Sequence, residues 1–245
     1  MTNETLNVLK NHKSIRAFTD KPVSDEMINT IFEAATAGPN INNFQPVIFI
    51  EITDQAFKAE VTSIVGMDYI EKAARYFVLA VDFNKDLIGL DPDVRKAAED
   101  KISVYPMLEG GIISAGIALG RAQVAAESLG LGTVTMAGAL GAFELYEQRL
   151  NLPKFVKAVM GFSIGYPNQE PGIKPKLPLP GFVMKDHYDQ EKLEKVVANY
   201  DKTMQKYYAD RGVESSWIKN NTKMFKRNRD TTALENYPKD KGFTI

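Results

Sequence analysis

At 245 residues with 44% apolar side chains, the chain can close one sizeable α/β or α+β domain, and less naturally two small ones. Its 30 Lys plus Arg against 31 Asp plus Glu give too weak a field for a dedicated nucleic-acid binder, which shows a basic excess or a basic face. The lack of cysteine excludes disulfides, thiolate nucleophiles and zinc ribbons, and two histidines, His12 and His187, are too few for a multi-histidine metal site within one chain.

The first residues, with Asn3, Glu4 and Asn7, lack the basic start and apolar run of a signal peptide, so a cytoplasmic protein is expected. His12-Lys13-Ser14-Ile15-Arg16 then places an imidazole, two cations and a hydroxyl within five residues. That is either a solvated basic patch between helices or an anion site, since an arginine fork and converging donors match phosphate oxygens. Ser24 is an N-cap for a helix whose apolar residues Met27, Ile28, Ile31, Phe32 and Ala35 recur at helical spacing, ending before Gly38-Pro39. Strands are expected over 47–52 and 76–81, the second almost free of polar residues, as when both faces are covered.

From Tyr105 to Leu129 an apolar, Ala/Gly-rich segment predicts a buried central helix. Arg121, Gln123 and Glu127 interrupt it too often for a membrane span. Its glycines, Gly110, Gly111, Gly116 and Gly120, permit close backbone approach, either within the core or across a subunit interface. A strand over 131–136, a small-residue loop over 137–141, a helix over 143–150 and a strand over 156–164 follow. Pro167, Pro171, Pro175, Pro178 and Pro180 then hold an irregular coil. Helices over 189–209 and 215–227 and a polar tail, with a final strand over 242–245, complete the chain. No internal repeat is present.

Four motifs bear on chemistry. Gly161-Phe162-Ser163-Ile164-Gly165 matches a serine-hydrolase elbow, which needs a helix directly after it; Tyr166-Pro167 forbids one, so Ser163 reads as a core serine in a strand. No Gly-x-Gly-x-x-Gly stands between a strand and a helix, and there is no Walker loop, so a nucleotide phosphate here must be held by side chains. Lys174-Pro175-Lys176 is either an ordinary exposed loop or two lysines aimed by a rigid proline. The run Pro39 to Pro46, with three Asn and one Gln, is either a helix-to-strand turn or a set of donors and acceptors for a polar ring edge. Arg211, at a helix end after Tyr207-Tyr208, either steadies that terminus or meets a phosphorylated ligand.

Taken in order, His12 to Ser24, Asn43-Phe44-Gln45-Pro46, Ala126-Glu127-Ser128-Leu129-Gly130-Leu131-Gly132 and Gly165-Tyr166-Pro167 leading to Lys174-Pro175-Lys176-Leu177-Pro178 resemble the flavin-dependent nitroreductase family. The resemblance is to its branch of NADPH-preferring, oxygen-insensitive nitroreductases and flavin reductases, over nearly the whole chain. It implies an α+β fold, a mixed, mainly antiparallel sheet surrounded by helices, in an intertwined homodimer. Residues 1–245 would form one FMN-binding domain, with 181–245 as its C-terminal helical extension. One FMN per subunit would lie at the dimer interface. His12, Lys13, Ser14 and Arg16 would grip its phosphate and polar side, joined by Lys174 and Lys176. Asn40, Asn43 and Gln45 would reach it from the partner subunit. The backbone of Thr135, Met136, Ala137 and Gly138 would line the ring edge, while Phe44 and Arg211 would serve the substrate or NADPH.

Three departures from the family pattern stand out. Lys13 and Lys176 occupy positions where arginine is commoner, Asn40 replaces the usual serine, and Met67 stands where a glutamine often binds flavin. The implied activity is an NAD(P)H oxidoreductase, with NADPH or NADH as donor, reducing nitroaromatics, quinones or free flavins by ping-pong hydride transfer at the flavin N5. It needs no catalytic side chain, metal, membrane or nucleic acid. The alternative is a flavin-binding or storage protein with little turnover.

Overall fold

The structure, a computed structural model, describes residues 1–244 and divides into two compact units, one of residues 1–171 with 232–244 and one of residues 172–231. The first unit is built on four antiparallel strands: β1 (Val47–Glu51), β2 (Arg75–Asp82), β3 (Gly132–Met136) and β4 (Val156–Gly165), in the order β1-β2-β4-β3. Around them lie α1 (Glu4–Lys10), α2 (Asp25–Thr36), α3 (Gln55–Val65), α4 (Pro92–Ile102), α5 (Tyr105–Ser128) and α6 (Phe143–Leu150). The second unit contributes α7 (Gln190–Ala209) and α8 (Trp217–Phe225), after which the chain returns to the first as α9 (Thr232–Asp240).

Strand β2 explains the layering. Its alternation sends Phe77, Leu79 and Val81 into one apolar cluster with Ile31, Ala115, Leu119 and Ala122 of α2 and α5. Tyr76 and Val78 enter another with Phe57, Val61 and Tyr146 of α3 and α6. A strand covered on both faces has no need of polar residues. Between Leu79 and Ala80 the register to β4 skips Val159, a one-residue bulge in that pair. Ser163 sits fully buried in β4 opposite Tyr76, a core serine as expected.

Two expectations need correction. Helix α5 is buried on one side only: Gly111 packs on Val81 and Phe83, whereas Ile112 and Ile113 are exposed and Gly116 and Gly120 face open space. Its apolar character all round therefore leaves an uncovered stripe. The strand expected over 242–245 is not formed within the described residues, and residue 245 lies outside them. Thr244 makes a single parallel bridge to Val104, and Phe243 is buried against Phe155 at 5.6 Å. No helix among the described residues is long and apolar enough to cross a membrane.

In the second unit, Tyr200 of α7 stacks edge-on against Trp217 of α8 at 5.7 Å and donates its hydroxyl to the Pro175 carbonyl at 2.9 Å. Asp201 accepts the Ile218 N–H at 2.7 Å, tying the start of α8 to α7. The proline coil is thereby anchored at its middle by a side chain rather than by regular backbone pairing.

Candidate functional site

The segment 12–16 runs alongside β3. Ser14 forms a parallel bridge to Thr133, and the Ile15 N–H donates to the Thr133 carbonyl at 2.9 Å. Gly132 makes that approach possible: a Cβ there would lie 2.7 Å from Ile15 Cγ1 and 2.8 Å from its Cβ. Because the bridge is parallel, both segments continue in the same direction, toward Arg16 on one and Thr135 on the other. Ile15 is buried, which holds the segment down, while Arg16 is exposed. Thr135, Ala137 and Gly138 are exposed at the end of β3, with Met136 buried between them.

The cations of the segment differ in what they meet. His12 Nδ1 lies 2.7 Å from Glu127 Oε1, with its side chain about one-third exposed. Lys13 is ion-paired with Glu170, a carboxylate that is itself largely exposed and so can leave. Arg16 has no ion-pair partner among the described residues. Its guanidinium is the exposed positive charge of the segment, two residues after the partly exposed Ser14. An arginine fork without an ion-pair partner among the described residues and a hydroxyl on one short segment are donors that fit a phosphate monoester.

The Asn-rich run forms a tight exposed turn. Asn42, Asn43 and Gln45 have φ of 47°, 56° and 54°, in the left-handed region that asparagine tolerates best. The turn is held from inside: Asn40 Oδ1 accepts the Gln45 N–H at 2.9 Å, and Gln45 Nε2 donates to Asn43 Oδ1 at 2.6 Å. Ser114 of α5 accepts the Ile41 N–H at 3.0 Å. Phe44 stands edge-on to Phe83 at 6.4 Å with about a third of its surface exposed. Among the described residues no hydrogen bond or ion pair joins 40–45 to 12–16 within one chain. The turn borders a cavity of about 520 Å³, which Asn40 and Gln45 line together with Phe32 and Phe49.

Lys174, Lys176 and Arg211 belong to the second unit. Lys174 and Lys176 are exposed, with the Lys174 ammonium 5.5 Å from the Tyr208 ring centre. Arg211 stacks on Tyr207 at 3.7 Å and donates Nη1 to the Tyr207 carbonyl at 3.1 Å, the helix-steadying role expected of a cation at a C-terminus.

The structure also brings forward side chains that reading the sequence for cations overlooks. Glu127 and Gln123 meet His12, Thr133 donates its hydroxyl to Glu127, and Glu170 meets Lys13. Met67 packs its methyl against Gly138, where a Cβ would collide with it. Glu127 and Met67 are both visible in the sequence, one inside the Ala126–Gly132 motif and the other at a departure from the family pattern. Their partners are far away in the chain, so only folding reveals what they touch.

Comparison with known proteins agrees with this geometry. The Nitroreductase family model matches residues 9–166, and the model for the Nitroreductase family, C-terminal domain, matches residues 174–245. An FMN reductase [NAD(P)H] of Bacillus subtilis is 35% identical over 210 residues, spanning 84% of this chain and 83% of that protein. An oxygen-insensitive NADPH nitroreductase of Salmonella typhimurium is 33% identical over 209 residues, spanning 85% and 84%. The structure of the NADPH:FMN oxidoreductase from Vibrio harveyi complexed with NAD+ superposes with a TM-score of 0.87 at 28% identity, covering 98% of this chain and 99% of that one. With the four-stranded antiparallel sheet, the segment bridged to β3 and the match over both parts of its length, this chain belongs to the nitroreductase family.

Proposed function

We propose that this protein is an FMN-dependent NAD(P)H oxidoreductase that reduces free flavins, nitroaromatics or quinones. The observation that carries the reading is Arg16, exposed and without an ion-pair partner among the described residues, on the segment that Ser14 bridges to β3 in a chain of this family. Bound FMN supplies the hydride chemistry, taking a hydride from the nicotinamide and passing it to the acceptor. The protein supplies binding and orientation.

In this reading Arg16 and Ser14 hold the phosphate, and Lys13 joins them once it leaves the exposed Glu170. His12 contributes from a ring already fixed by Glu127. The backbone of Thr135, Met136, Ala137 and Gly138 is assigned to the ring edge, with the Met67 methyl packed on Gly138. Lys174 and Lys176 are assigned to the same phosphate, and Phe44 and Arg211 to the nicotinamide nucleotide and acceptor. Asn40, Asn43 and Gln45 serve the cofactor of the partner subunit, consistent with an exposed turn that makes no polar contact with 12–16 of its own chain. The unpacked stripe of Ile112, Ile113, Gly116 and Gly120 on α5 supports a homodimer, because small residues let a second copy approach closely. A cytoplasmic location is part of this reading, since the enzyme needs a supply of nicotinamide donor.

The deciding experiment is the visible spectrum of the purified protein before and after anaerobic NADPH, followed by a quinone. Flavin absorption that bleaches with NADPH and returns with the quinone is expected. Protein that carries no flavin and takes up none sinks the reading. Bound flavin that NADPH leaves oxidised points to a flavin-binding or storage protein instead.

A further inference from the structure

Glu127 stands in the last turn of α5, where the free carbonyls of a helix end make a carboxylate unfavourable. Its side chain is only 12% exposed, so water offsets little of that cost. The compensation comes from donors gathered on one oxygen. Glu127 Oε1 lies 2.7 Å from His12 Nδ1, accepts the Thr133 hydroxyl at 2.9 Å and accepts Gln123 Nε2 at 3.2 Å. Thr133 is fully buried, and its carbonyl also takes the Ile15 N–H at 2.9 Å. One residue thus anchors both the carboxylate and the segment that carries His12.

We propose that Glu127 is a positioning residue for the cofactor site: it fixes the tautomer and ring orientation of His12. The proposal rests on the FMN reading above only for its consequence in cofactor binding. An unprotonated Nδ1 at 2.7 Å from a carboxylate would set two lone pairs against each other, so Nδ1 carries a proton and donates it. Gln123 Nε2 lies 3.2 Å from Glu127 Oε1 and 2.8 and 3.2 Å from His12 Nδ1 and Nε2; with Nδ1 already protonated, one of its N–H groups meets the carboxylate and the other has only Nε2 to donate to. The ring is held at both nitrogens, with Nε2 also on the side of Ser14 Oγ at 3.5 Å. Left free, an imidazole would turn about its side-chain torsions and lose that direction. A carboxylate behind a histidine performs the same service for metal-bound histidines, where it sets which nitrogen faces the ligand.

The test is a long-range nitrogen–proton correlation spectrum of the FMN-loaded protein. The chain has only two histidines, so His187→Asn assigns the His12 signals. A proton on Nδ1 of His12 is expected in the wild type. In Glu127→Ala the ring should revert to the Nε2–H form, and FMN should bind about two- to tenfold more weakly, the effect of losing one orienting hydrogen bond. Glu127→Gln, whose amide oxygen accepts the same proton, should restore the Nδ1–H signature. In a His12→Ala background, Glu127→Ala should cost no further affinity.

A neutral Nε2–H ring in the wild type overturns the proposal. So does an unchanged Nδ1–H signature in Glu127→Ala, or an affinity loss that persists in full without His12. If Glu127→Ala does not fold, the wild-type and Glu127→Gln spectra decide. If the wild type binds no FMN, the flavin reading fails, while the spectrum of the same protein still settles the Glu127–His12 pair.

Discussion

Arg16 and Arg211 are the same residue type in two unlike situations, and the contrast makes the site assignments testable. Arg16 is exposed with no acidic partner among the described residues, so its charge is available to a ligand. Removing it should cost the equivalent of a charge-assisted hydrogen bond. Arg16→Ala should weaken FMN binding by about ten- to a hundredfold, roughly 1.5–3 kcal/mol, measured by titrating the apoprotein. An unchanged affinity would remove Arg16 from the phosphate. Arg211 already stacks on Tyr207 and bonds its carbonyl. If it reads the 2′-phosphate, Arg211→Ala should raise KM for NADPH, leave KM for NADH nearly unchanged and leave bound FMN in place. Equal effects on the two donors would reduce it to a helix-end cation. At this scale the sequence shows which residues carry charge; it does not show that Glu170 occupies Lys13 or that Glu127 holds His12, because those partners lie 157 and 115 residues away.

Elements with local signals were legible. Ser24 accepts the Met27 N–H at 3.3 Å as the cap its position implies, and Asp189 and Ser216 do the same for α7 and α8. Helices α3 and α4 carry similar signals, Asp54 before Gln55 and Asp91 before Pro92, yet the apolar pattern between the strands at 47–52 and 76–81, and after the second of them, does not announce them. Helix α9 is different in kind. It contains Pro238 and reads as polar tail, and tertiary contacts hold it: Tyr237 is buried, accepts the Ala158 N–H at 3.0 Å and donates to Glu147 at 2.6 Å. Beside it Lys157 is buried in β4, its ammonium 4.7 Å from the Tyr237 ring centre, and burial pushes its pKa down from 10.5 to about 8 against the pull of Glu147. Between about pH 8 and 10.5 the unfolded chain therefore binds this proton and the folded chain does not. The buried charge weakens the fold below that window, and stability recovers as pH rises through it. Lys157→Met should remove the recovery and raise stability at pH 7, by on the order of 1–3 kcal/mol in urea unfolding. Parallel pH profiles of the two proteins would contradict the assignment.

For the whole molecule, the exposed stripe of α5 is where the homodimer proposal can fail. Ile113 is 59% exposed and Gly116 has open space where a side chain would project, so Ile113→Glu with Gly116→Glu leaves the packed core alone. Replacing a helical glycine even favours the helix. The double variant should nevertheless fall to a monomer in light scattering and lose its visible flavin absorption, since the turn 40–45 then has no partner to serve. A dimer that keeps its flavin would mean that α5 is not the interface. Periodicity, breakers and charge within a few residues were enough for the four strands, the long apolar helix, the helices after Ser24 and Asp189 and the cationic segment, while the α+β class came from the resemblance to a family. The tertiary structure alone decided which face of α5 stays uncovered, that α9 returns to the first unit, and that the partly buried Glu127 carboxylate meets His12 at 2.7 Å. Those outcomes depend on desolvating groups brought together from distant parts of the chain, and local propensity holds no record of such encounters.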